Sequence, residues 1–323
     1  MKEKKRDYFI DIIKAFAIIT IMLWHFQIIS TKYFIWAIPA FIFATTALYE
    51  DKWKEIKIKS IIKKIVWILL LVVFLTIILH FISTNQSNLN LLDYFKNFFY
   101  YFFLRNPPLG NLWYFLLYFQ ILILLFIMSS ILGDNDKIKL EKWYFGIISL
   151  ILSLTFSYLL MISLGQGISF NVISWAFIIW LGLFNYSKIK NYLLKISKTN
   201  LFLIFILSII INLTLLYFSG NSVNLFIEKY THDFVFPTLI FQLFYFISLF
   251  SLSMIIIKLA TEKTIYPLRL IGQYSLYIYL FHNYLYKIIF YPILGAFFGF
   301  ILTSLSCLIL GFVLEQIRRR ILK

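Results

Sequence analysis

Long apolar runs recur from one end of the chain to the other, and a run of roughly 20 such residues is what an α-helix needs to cross a bilayer. Ten runs are read at 8–29, 33–50, 64–83, 112–132, 143–164, 170–187, 200–218, 234–257, 269–290 and 292–314. The ninth and tenth are divided only by Tyr291-Pro292. With 62% hydrophobic and 14% charged residues in 323, the chain is too apolar to hide this surface in one soluble core. The pattern predicts an all-α, polytopic transmembrane helix bundle of about ten spans, forming a single integral-membrane domain over 1–323.

A net charge of +16 in a soluble chain would point to nucleic acid. Here the basic residues cluster between apolar runs, which is the mark of cytoplasmic loops and predicts membrane lipid as the surrounding partner, with no nucleic acid. With the N-terminus placed in the cytoplasm, 24 of the 30 basic residues fall inside and five outside. That split predicts a multi-pass protein of the cell membrane with both termini cytoplasmic. Lys2, Lys4, Lys5 and Arg6 precede the first run as in a signal peptide, but Asp11, Lys14 and its length predict that it is retained. Cys307 has no partner for an intramolecular disulfide and reads as a small buried hydrophobe. Zinc spacings and Gly-rich phosphate loops are absent, so no metal is expected.

Two longer segments fall outside in this topology. The first, 83–111, contains the aromatic stretch 94–103, which reads as an interfacial or re-entrant helix. The second, 219–233, ends in His232-Asp233, a solvated pair. Most of the 37 Phe, 22 Tyr and 8 Trp are expected to face lipid or the interface.

Ionisable groups inside a span are costly and mark function by default. Asp11 and Lys14 stand at i and i+3 in the first helix, where they can pair. His25 lies eleven residues beyond Lys14, about three turns or roughly 16 Å along the same face. A topological ion pair and an interfacial histidine are the plainer readings. In the ninth run Ser275 and His282 are two turns apart, with Tyr279 three before the histidine. His282 falls mid-span; a core histidine bonded to a serine or tyrosine hydroxyl competes with a functional role. His80, at the end of the third run, reads as interfacial.

The first helix resembles the opening of the integral-membrane acyltransferase family, the acyltransferase 3 group that includes O-acetyltransferases of cell-surface polysaccharides. Asp11 matches the family's Asp and His25 its His, while Lys14 stands in the place of an Arg. Lysine keeps the charge and loses the guanidinium fork. Pro39-Ala40-Phe41 with Thr45-Thr46 is similar to the second-helix signature, which ends in Ser-Gly. Leu112-Trp113-Tyr114-Phe115 looks like the start of the helix after the long outer segment. Gly272 through His282 resembles the late Gly-x-x-Ser-Leu-x-x-Tyr-Leu-x-His helix. The motifs cover about a fifth of the chain, in the family's order.

The resemblance implies a membrane O-acyltransferase that uses a cytoplasmic acyl-CoA, acetyl-CoA in the usual case, as donor substrate. The acceptor would be a hydroxyl of a cell-surface glycan or lipid-linked sugar. Lys14, with Asp11, would serve the donor phosphates, and His25 would act as general base. His282, Tyr279 or Ser275 would orient the acceptor or stabilise the oxyanion, and Trp113 and Tyr114 would stack on sugar. A transporter or flippase of a surface polysaccharide is the alternative: Pro39, Gly295 and Gly299 suit broken helices, although no inverted repeat is seen. A sensing module without activity is a third reading, favoured by Lys14 and Thr46.

Overall fold

The computed structural model describes residues 7–26, 28, 37–50, 52, 57–83, 113–132, 140–164, 173–219 and 235–321. Among them there is no strand, and each of the ten apolar runs carries a helix. These are α1 (Tyr8–His25), α2 (Ala37–Ala47), α3 (Ile58–Ser83), α4 (Trp113–Ile131) and α5 (Trp143–Leu164), followed by α6 (Ala176–Lys195), α7 (Lys198–Ser219), α8 (Val235–Leu259), α9 (Glu262–Tyr284) and α10 (Tyr291–Ile321). The aromatic stretch 94–103 and His232-Asp233 lie outside the described residues, as does the side chain of His80.

Several helices begin or end in what the charge pattern reads as loops. α3 starts at Ile58 and takes up Lys59, Lys63 and Lys64; α6 runs on to Lys195; α9 starts at Glu262. Lysine is a good helix former, so a helix can continue past the apolar run with its charges on the exposed turns. By length and composition two helices suffice to cross a membrane among the described residues, Tyr8–His25 and Phe297–Arg320. A third is counted if α6 and α7, bent by 115° at Ile196-Ser197, form one broken span. α2 has 11 residues, about 16 Å of helix against roughly 30 Å of hydrocarbon. The chain is all-helical, while the ten-span count rests on the sequence pattern.

The helices divide between two compact units. One comprises the described residues within 1–51, 133–168 and 173–312; the other those within 52–132, 169–172 and 313–323. In the second unit α3 meets α4, and Glu315 accepts from Arg318 at 2.7 and 2.9 Å and from Arg319 at 3.2 Å.

The first unit is built around α1, which packs on α9, α2 and α8. α1 begins where Asp7 accepts from the Phe9 amide at 3.0 Å, satisfying one of the open donors at a helix start. All eleven residues of α2 are buried. At its centre Phe43 sits 4.7 Å from Phe250 and 5.8 Å from Phe246, while Phe9 lies 5.8 Å from Phe250. These rings form an aromatic core, in which large flat side chains fill the gaps between helices.

Polar contacts tie the remaining helices of this unit together. The Ser248 hydroxyl of α8 donates to that of Ser208 on α7 at 2.7 Å, and Ser153 of α5 accepts from the Phe177 amide at the start of α6 at 3.0 Å. Trp180 of α6 donates to the Leu140 carbonyl at 2.7 Å. Where lipid removes the hydrophobic drive between helices, such bonds and close packing hold them. Cys307 is fully buried, as its apolar surroundings predict.

Close packing is clearest where α2 meets α6. A Cβ added at Gly182 would lie 2.1 Å from the Thr46 hydroxyl and 2.7 Å from the Phe43 carbonyl. Thr46 stands where the similar second-helix signature has Gly, and here the small residue, Gly182, is on the facing helix. The threonine hydroxyl donates back to Ile42 and Phe43 carbonyls at 2.9 and 3.0 Å, so it is buried without penalty.

Candidate functional site

α1 and α9 run in the same direction. The guanidinium of Arg269 lies over the Tyr8 ring, Gly272 lies against Asp11, and His282 meets His25, so the contacts advance together along both helices. The approach is closest at Gly272, where an added Cβ would lie 1.8 Å from the Asp11 carbonyl oxygen. Only a residue without a Cβ lets the two backbones come so near. The glycine that opens the late-helix motif therefore sets the spacing of this helix pair.

Ten residues further along α9, the imidazole rings of His25 and His282 stand 5.0 Å apart between centroids and tilted by 46°. His282 is fully buried, and its Nδ1 lies 2.8 Å from the Tyr279 carbonyl and 3.0 Å from that of Ile278. A carbonyl only accepts, so Nδ1 carries the hydrogen in this arrangement, and Nε2 of the neutral ring holds the lone pair. His25 is half-buried, in the last turn of α1, with Trp24 beside it. One histidine is thus held by backbone carbonyls, and the other is partly exposed.

His282 also sits in the last turn of α9, which ends at Tyr284 and starts at Glu262, where the Thr261 hydroxyl accepts from the Thr264 amide. Beyond Tyr284 the backbone widens into a π-helical turn, Leu285–Phe290, a feature frequent at functional sites. It carries Tyr286, whose ring stacks on Phe26 with centroids 3.6 Å apart and whose hydroxyl donates to the Phe26 carbonyl at 3.5 Å. Phe26 also lies 6.2 Å from the His282 ring, so these two aromatics wall the histidine pair.

Of the other candidates, Ser275 and Tyr279 are buried on α9. Tyr279 serves His282 through its backbone carbonyl, with its ring 6.0 Å from the imidazole. Asp11 is buried against Gly272, and Lys14, one turn on, is half-buried. Trp113 and Tyr114 open α4 in the second unit, and their side chains lie outside the described residues.

Sequence spacing names both histidines without pairing them. A strictly alternating bundle of ten spans would run helices one and nine in the same direction, and α1 and α9 do so.

A second polar group gathers where α1 begins. Lys190 of α6 pairs with Asp7 at 2.7 Å, and Glu50, buried at the end of α2, accepts from the Ser187 amide at 3.0 and 3.1 Å and from its hydroxyl. These carboxylates are thereby committed to structure.

Against known proteins, the family model described as an acyltransferase domain matches residues 7–316, nearly the whole chain. No curated protein and no solved structure matches. The chain belongs to this acyltransferase family, the one its motifs resemble, and is a membrane acyltransferase.

Proposed function

We propose, from membership of that family, that the protein moves an acyl group, acetyl in the first place, from a cytoplasmic acyl-CoA to a hydroxyl of a cell-surface glycan or lipid-linked sugar. The observation that carries this reading is the contact between His25 and His282, centroids 5.0 Å apart at the ends of two parallel helices. His25 takes the proton from the acceptor hydroxyl as the oxygen attacks the thioester carbonyl. The tetrahedral adduct collapses with loss of the thiolate of coenzyme A, which takes up the proton from the imidazolium. His282, fixed through Nδ1, orients the His25 ring. Lys14, half-buried beyond the Asp11 contact, attracts the donor phosphates from the cytoplasmic side. Both termini lie in the cytoplasm in this reading, as the 24-to-5 distribution of basic residues supports.

The test is turnover. Purified protein given acyl-labelled acyl-CoA and surface glycan should release free coenzyme A and label the glycan. Glycan that crosses vesicles without thioester loss would instead identify a flippase.

A further inference from the structure

Arg269 lies one turn before Gly272, at the end of α9 that faces Tyr8. Its guanidinium carbon stands 3.6 Å from the centroid of the Tyr8 ring, a cation–π contact. That contact places the group over the ring and satisfies none of its five N–H donors. Nε is buried and has no hydrogen-bond acceptor among the described residues. A buried donor on a permanently charged group is costly to leave unmatched and points to an acceptor supplied by a ligand. The residue as a whole is only half-buried.

The neighbouring carboxylates do not fill that role. Asp7 pairs with Lys190 at 2.7 Å and accepts from the Phe9 amide, and Glu262 accepts from the Tyr8 hydroxyl at 3.4 Å. Lys14 lies six residues beyond Tyr8, about 9 Å along α1. A lysine there offers a point charge, whereas a planar fork matches two phosphate oxygens at once.

We infer that Arg269, held over the Tyr8 ring, binds the phosphate groups of the acyl-CoA donor and supplies the bidentate contact that Lys14 does not. This rests on the donor proposed above.

The experiment measures coenzyme A binding by calorimetry for the whole protein in zwitterionic nanodiscs, as wild type, Arg269→Gln and Arg269→Lys, with thermal melting as the check on folding. Arg269→Gln should weaken binding roughly 10- to 100-fold without lowering the melting temperature, and Arg269→Lys should recover part of it. The KM for acyl-CoA should rise while the KM for acyl-pantetheine, which lacks the phosphates, stays put. Equal binding by wild type and Arg269→Gln overturns the inference and leaves the donor reading intact. A change confined to melting in anionic-lipid nanodiscs, with binding unaltered, assigns the arginine to a lipid headgroup and also overturns it. Absence of coenzyme A binding by the wild type removes the donor reading and the inference together.

Discussion

α1 and the Phe297–Arg320 part of α10 both qualify as membrane spans, and the more apolar of the two is the less buried: 22% of the α10 window is inside the protein against 61% for α1. α10 turns Phe297, Phe298, Leu305 and Ile309 outward. α1 buries Ala15, Ala17, Asp11 and the aliphatics between them. Among lipid tails, an apolar side chain gains nothing by choosing protein over lipid, so small and polar residues decide which helix goes to the centre. Between these two helices the less apolar one is the more enclosed, and the interruptions in its apolar run, Asp11 and the alanines, lie on the enclosed side.

The contrast breaks most severely at Gly272. Gly272→Leu puts a side chain where even a Cβ would meet the Asp11 backbone. Forcing α1 from α9 should cost more than the about 1–3 kcal/mol of ordinary overpacking, seen as loss of the monodisperse peak in detergent and of all transfer. A folded, active Gly272→Leu would mean that the two helices do not touch there.

His282→Ala should fold but lose about 10- to 100-fold in transfer, short of the 10²–10⁴ expected for the base itself. Unchanged transfer would reduce His282 to packing. Gly182→Ala should destabilise by about 1–3 kcal/mol in thermal melts. Thr46→Ala should relieve that in part, since the Phe43 carbonyl at 2.7 Å still obstructs the new methyl. Failure of any rescue would show that the threonine hydroxyl is not the obstacle. Smallest of all, Phe297→Leu on the outward face of α10 should shift stability by less than about 0.5 kcal/mol; a loss above 1 kcal/mol would show that protein covers this face.

The helical class and the position of each helix were legible because an apolar run of span length has few other uses. The ends of helices were less so, since charged residues continue a helix as readily as they end it, as at Lys59 and Lys195. Asp11, His25 and His282 stood out as costly groups in apolar runs. Their mutual arrangement did not, because it depends on which helices pack side by side and on the closeness that Gly272 permits. Gly182 and Arg269 escaped notice for the same reason: a glycine or an interfacial arginine has meaning only beside the residue it faces.

In the proposed function the two imidazoles act as one catalytic unit, with Nδ1 of His282 engaged by backbone and its ring beside His25, and the rates of acyl transfer across a double-mutant cycle test this most directly. His25→Ala alone should lower the rate by about 10²–10⁴ with coenzyme A binding retained. The pair His25→Ala with His282→Ala should be no slower than His25→Ala, because an orienting residue has nothing left to orient. Multiplicative losses would show two independent groups, and full activity in His25→Ala would remove the site from this helix pair.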